Sequence, residues 1–377
     1  MSLGRRFMLV VFACAASFAV SASPAAAIFL PAPLERLHVR LDALRQHAPG
    51  HIALEVEDLA TGLAIGVNER TSMPAASTIK IPVMVEVFKQ MELGSIGLNS
   101  RVHLEARDRD YGSGDICDAR TGTAFSVRTL LDKMIDESDN TAANMLIRLV
   151  GRTHVNRTMR DLGLRQTELR SDIRTASNGI RYTLRTSASD MVRLLARMAQ
   201  NRLVDSWSSR EMLAILANQQ INTLLPVPLP HDVTIAHKTG SLHDTLNDVG
   251  IVEQEGEPYV IAVMTTNLRS LWSGRDFIRH VSLLAYDSLE KLATWRVAQG
   301  FPAFIVGGLP PAEAPDQTLS LPAAPVAPDE LAPIVPAADV DVAPGPEPAA
   351  LPANDGTIAP PQAGVPAAAP ALSPEGI

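Results

Sequence analysis

The alternation of apolar and polar positions divides the chain into blocks of different period. Leu34, Leu37, Leu41 and Leu44 recur at helical spacing between Pro33 and His47 and predict one amphipathic helix. The apolar runs Ile52 to Val56 and Leu63 to Val67 flank Thr61-Gly62, a pattern that predicts a β-hairpin. From about Ser77 to Ile221 the period is helical again, with apolar faces over 79–91, 127–135, 141–150, 189–199 and 209–216. Strand character returns in 233–237, 248–252 and 259–265, with Glu255-Gly256-Glu257-Pro258 as the turn between the last two, and a long helix over 272–298 follows.

Strands that come in runs, not alternating with helices, predict an α+β fold. The simplest arrangement is an antiparallel five-stranded sheet flanked by the N- and C-terminal helices, with a large helical insertion between the second and third strands. A sheet subdomain is expected over 28–71 and 226–306, and a helical subdomain over 72–225.

The pattern changes at both ends. Arg5 and Arg6, the apolar stretch Phe7 to Val20, and Ala25-Ala26-Ala27 read as an export signal over residues 1–27. That stretch is short against the ~20 residues of a membrane span, so a periplasmic or secreted protein is expected. Lipoprotein attachment at Cys14 is disfavoured by Phe12. With the signal removed, Cys117 is the only cysteine, so the fold rests on its core, and with no base near it in sequence the thiol is expected to be packed. Seventeen of the 28 prolines lie between Pro310 and Pro374, interleaved with Ala and Val, so 307–377 reads as a disordered Pro/Ala-rich acidic tail, a candidate for contact with the cell wall or envelope.

Charge excludes one class of function. No Lys or Arg occurs from Val297 onward, and nine acids there outweigh the formal net charge of −8, which leaves residues 1–296 at +1. With no basic stripe in that mixed-sign body, nucleic acid is not an expected partner. Nothing in the sequence calls for a cofactor, and a monomer is expected. His231, His237 and His243 recur every six residues, but a strand through His237 separates their side chains, so no metal site is expected.

Lysine is scarce, five against 28 arginines, and two of the five fall in short motifs that occur in a fixed order: Ser77-Thr78-Ile79-Lys80, Ser138-Asp139-Asn140 and Lys238-Thr239-Gly240. Each alone is weak. Ser288-Leu289-Glu290-Lys291 repeats the first spacing inside the last helix and reads as a solvated face. The ordered triple is far more specific. Ser77 at the start of a helix places Lys80 on the same face one turn later, where a neutral lysine can take the serine's proton. Burial and a second cation, Lys238, both lower its pKa. The segment 138–140 also suits a helix N-cap before Thr141, and Gly112-Ser113-Gly114 reads as a turn that could wall a cleft.

The triple, with gaps of 61 residues from Ser77 to Ser138 and 100 from Ser138 to Lys238, resembles the penicillin-recognising serine hydrolases, most closely class A β-lactamases and their relatives, over about residues 33–300. The resemblance implies Ser77 as nucleophile, Lys80 as base, and Ser138 as a hydroxyl relaying a proton to the leaving nitrogen. Asn140 would meet a substrate amide, and Lys238 and Thr239 a substrate carboxylate. Gly240 would let the substrate lie along its strand, and the N–H groups of Ser77 and Ser241 would form the oxyanion hole. Asp139 is expected to hold its loop. The family uses a deacylating glutamate paired with an asparagine four positions on; Glu168, the only Glu between Thr141 and Asn201, is the candidate for that base, with Asp172 four residues later, and its alternative reading is a surface carboxylate paired with a neighbouring Arg. The expected function is β-lactam hydrolysis through an acyl-serine. The rivals are a D,D-peptidase or other cell-wall amidase or esterase acting on D-Ala-D-Ala-like peptides, and a slowly deacylating sensor or non-catalytic binding module.

Overall fold

The computed structural model describes residues 30–175, 180–254 and 256–300. The export signal, Cys14 and the Pro/Ala tail lie outside the described residues. In chain order the first elements are α1 (Ala32–Arg45), β1 (His51–Asp58), β2 (Ala64–Val67), β3 (Met73–Pro74) and α2 (Lys80–Glu92), the last entered through a 3-10 turn, Ala76–Ile79. Next come β4 (Arg101–His103), β5 (Ala124–Ser126), α3 (Val127–Asp136), α4 (Asn140–Val150) and α5 (Arg152–Asp161). The chain continues through β6 (Glu168–Leu169), α6 (Ile180–Thr183), β7 (Leu184–Thr186), α7 (Ala188–Ala199) and α8 (Ser206–Ala217). It closes with β8 (Thr234–Leu242), β9 (Thr245–Glu253), β10 (Tyr259–Thr266) and α9 (Leu271–Ala298).

The main sheet is five-stranded, β2-β1-β10-β9-β8, and antiparallel throughout. Its strand alternation sorts two cores. Tyr259, Ile261 and Val263 of β10 face Leu34, Leu37 and Leu41 of α1 and Ile278, Val281 and Leu289 of α9. Val260, Ala262 and Met264 face the helical block with α7. Within that block α2 is buried all round from Lys80 to Phe88, as a helix without a solvent face must be.

The structure adds elements that the pattern does not show. α5 is too polar to carry an apolar stripe, and only Val155, Thr158 and Met159 are buried in it. β3, β7 and β6 form a three-stranded sheet too short for a period to register. β8 runs on to Leu242 and β9 starts at Thr245, which makes this pair a tight hairpin. Ser288 corrects the reading of 288–291 as a solvated face: it is buried in α9 with its hydroxyl donated to the Leu284 carbonyl at 2.7 Å, while Lys291 is exposed.

Candidate active site

Four elements converge on the amine of Lys80. The 3-10 turn holds Ser77, and Lys80 follows at the head of α2. Lys80 Nζ lies 3.2 Å from Ser77 Oγ, 3.0 Å from Ser138 Oγ, 2.6 Å from the Ser138 carbonyl and 2.7 Å from Asn140 Oδ1. An ammonium has three N–H groups and meets four oxygens here. Either form satisfies three of them: in the neutral amine the two N–H groups go to the two closest oxygens, both pure acceptors, and the single lone pair is left for one of the two hydroxyls. The electrostatics favour the neutral form. Complete burial, then the charge of Lys238, hold Lys80 well below lysine's ordinary pKa, against the opposing pull of Asp139 and Asp110.

Backbone strain sets this geometry. Ala76, just before Ser77, has φ +47°, and Ser138 has φ +59°, both left-handed for residues that carry a Cβ. The turn at Ser138 lets its carbonyl and its hydroxyl reach the same amine. Asp139 is the cap of α4: its carboxylate accepts from Ala142 N at 2.7 Å and Ile116 N at 2.9 Å. Gly114, at φ +88°, lies so close to Asp139 that a Cβ would fall on the carboxylate, so the 112–114 turn packs on the Ser138-Asp139-Asn140 segment. Ser113 completes that contact, its carbonyl accepting from Asn140 N at 3.0 Å.

β8 forms the opposite wall. A Cβ on Gly240 would stand 3.0 Å from both Ala75 O and Ser77 N, so the strand crosses directly over the Ser77 amide. Asn247 of β9, opposite Gly240, fixes the same turn by donating to the Pro74 and Ala75 carbonyls at 2.9 and 3.1 Å. Thr239 and Gly240 are buried and Ser241, next along the strand, is exposed. Lys238 is fully buried, and its amine donates to the Thr239 carbonyl at 3.2 Å. Burial lowers its pKa to about 7, against the charges of Asp248 and Asp136.

The structure thus brings Ser77, Lys80, Ser138, Asn140 and the Lys238-Thr239-Gly240-Ser241 strand to one place. Glu168 is elsewhere. It sits in β6 opposite Arg185 and is ion-paired with Arg170 at 2.7 Å, because the short three-stranded sheet turns it into a cleft lined by Ser72, Arg165, Gln166, Tyr182 and Arg185. Asp172 also faces arginines, Arg174 at 3.3 Å and Arg152 at 3.9 Å. The part of this loop that reaches the site is held by Asn144, one turn after Asn140 on α4, through the Ile173 backbone: Ile173 N donates to Asn144 Oδ1 at 2.8 Å and Ile173 O accepts from Asn144 Nδ2 at 3.0 Å. It presents Ile173 and Thr175, not a carboxylate.

Two residues that shape the site were not foreseen from sequence: Asn247, and Asp110, whose Oδ1 accepts from Asn140 Nδ2 at 2.8 Å. Both act through backbone or side-chain contacts across more than 25 positions and belong to no local motif. The three histidines do not converge: His237 is buried between Asp248 Oδ1 and Asn222 Oδ1, both at 2.8 Å, while His231 and His243 are exposed. Among the described residues no three His, Cys, Asp or Glu side chains form a group that could hold a metal ion. Cys117 is buried, and burial followed by Asp118 and Asp139 pushes its thiol pKa up, which makes it a poor nucleophile.

A Ser–Lys pair one helical turn apart, a second serine on the same amine and a buried lysine on the facing strand, all set in this α+β fold, define a penicillin-recognising serine hydrolase. Residues 36–289 match the beta-lactamase enzyme family, and the chain belongs to it. It is 29% identical over 273 residues to a beta-lactamase of Streptomyces fradiae, covering 70% of this chain and 89% of that protein. Among solved structures it resembles PBP-A, at a TM-score of 0.64 and 29% identity, over 68% of this chain and 97% of the other. A mutant of PBP-A solved as an acyl-enzyme complex with penicillin G matches at the same TM-score, covering 70% of this chain and 100% of that one. A beta-lactamase from Sphaerobacter thermophilus matches at 0.63 and 28% identity, over 68% and 98% of the two chains.

Proposed function

We propose that the protein is an exported acyl-serine hydrolase that opens the β-lactam amide on Ser77 and releases the resulting ester slowly. The observation that carries this is the Lys80 amine, buried and shared between the Ser77 and Ser138 hydroxyls. Neutral Lys80 takes the Ser77 proton, Ser77 Oγ bonds to the lactam carbonyl carbon, and the C–N bond breaks. The proton passes from Lys80 through Ser138 to the departing nitrogen. Lys238 and Thr239 hold the substrate carboxylate, Asn140 meets its amide, and the amides of Ser77 and Ser241 receive the developing oxyanion. Export rests on the pattern of residues 1–27.

Hydrolysis of the ester needs a base that activates water. The carboxylates bonded into this network, Asp110 and Asp139, accept from structural N–H groups, and Glu168 is paired with Arg170. This placement favours as second reading a D,D-peptidase acting on D-Ala-D-Ala-like peptides. A chromogenic cephalosporin tests the primary reading: about one equivalent of colour is expected in a rapid burst, then a slower steady phase. Fast linear turnover with no burst would show that the loop supplies an efficient base, and no colour at all would refute the lactam reading.

A further inference from the structure

Asp110 stands outside all three motifs, yet its carboxylate is buried one side chain away from the Lys80 amine. Oδ1 accepts from Asn140 Nδ2 at 2.8 Å, Gly112 N at 3.0 Å and Thr175 Oγ1 at 2.8 Å; Oδ2 accepts from Thr175 N at 2.8 Å. Its own backbone is locked to α4: Asp110 N donates to Thr141 Oγ1 at 3.0 Å, and the Asp110 carbonyl accepts from the same hydroxyl at 3.2 Å. A carboxylate cannot donate, so it selects one orientation of the Asn140 amide: nitrogen toward Asp110, oxygen toward Lys80. Reversal would set the amide nitrogen against the lysine amine and the oxygen against a carboxylate.

Resting on the acyl-serine reading above, we propose that Asp110 is a positioning residue for acylation. It fixes Asn140 with its oxygen on Lys80 and one N–H left for substrate, and it ties the Ile173–Thr175 segment to the site. Burial alone would raise the carboxyl's pKa, but the hydrogen bonds from Thr175, Asn140 and Gly112 prevail and hold it below the ordinary aspartate value, so it is an anion at neutral pH. The charges acting on Lys80 are Lys238 from β8, Asp139 from the head of α4 and Asp110 from the loop before the 112–114 turn. Asp110 favours the ammonium, so its removal lowers the Lys80 pKa further.

The test compares full-length wild type, Asp110→Asn, Asp110→Ser and Thr175→Val by the pH dependence of acylation with a fluorescent penicillin, with amide exchange at Thr175 followed in parallel. Both Asp110 variants are expected to acylate roughly 10- to 100-fold more slowly at pH 7, the scale of a misplaced reacting group. Their acid limb is expected to move to lower pH, as for loss of a nearby opposite charge. Thr175→Val keeps the charge and is expected to keep the wild-type limb. Slower acylation with an unmoved limb, or unchanged rates, would overturn the proposal. A wild type that takes no label would refute the functional reading instead, and the positioning claim is then decided by whether Asp110→Ser deprotects the Thr175 amide at least tenfold.

Discussion

Lys80 and Lys238 are both fully buried lysines whose pKa the fold lowers, and the proposed mechanism gives them different tasks. In that mechanism Lys80 acts as a base only when neutral, so its lowered pKa favours acylation. Lys238 in the same proposed mechanism anchors only when charged, and with a pKa of about 7 its charge fades as the pH rises past neutrality. For a lysine the charged form is populated below the pKa, so a carboxylate ligand should bind well below pH 7. Above it the free enzyme loses the cation by about tenfold per pH unit. The saturation constant for penicillin acylation, measured from pH 6 to 9, should therefore rise with pH above about 7. A constant that stays flat over that range would mean that the carboxylate is anchored by something other than Lys238.

The site is assembled where elements dock, and the tightest docking is that of β8 and β9 on the turn that carries Ser77. Gly240 has no room for a Cβ between Ala75 O and Ser77 N, and Asn247 holds the same turn from the neighbouring strand. Gly240→Ala should push the strand off the nucleophile and slow acylation about 100-fold, at a stability cost of roughly 1–3 kcal/mol from overpacking. Acylation rates with a thermal melt check both, and an unimpaired rate would show that the strand does not define the oxyanion site. The motifs themselves were legible in the sequence because Ser77 and Lys80 are local partners, three residues apart on one helical turn. The five strands were legible through their apolar runs, and the cap at Asp139 through residue type. Asp110 and Asn247 were not, since their partners lie 30 and more than 170 positions away and no periodicity connects them. The location of Glu168 was equally hidden: strands of two residues have no period, and only the pairing with β7 turns the side chain toward Arg170.

At the scale of the whole molecule, two cores hold one working surface. The core of α1 and α9 stiffens one face of the sheet, and the larger helical core presses α2 and α4 against the other, so that Ser77, Ser138 and Lys238, which come from distant parts of the chain, are held by rigid elements. The acyl-serine proposed on Ser77 is the point on which these features meet. The most direct test is intact-mass analysis of the full-length protein with benzylpenicillin, followed by peptide mapping, alongside Ser77→Ala. The account predicts one added penicilloyl group, on the peptide that contains Ser77, absent in Ser77→Ala and formed faster than it is lost. No adduct on a folded protein, or an adduct that persists in Ser77→Ala, would contradict it.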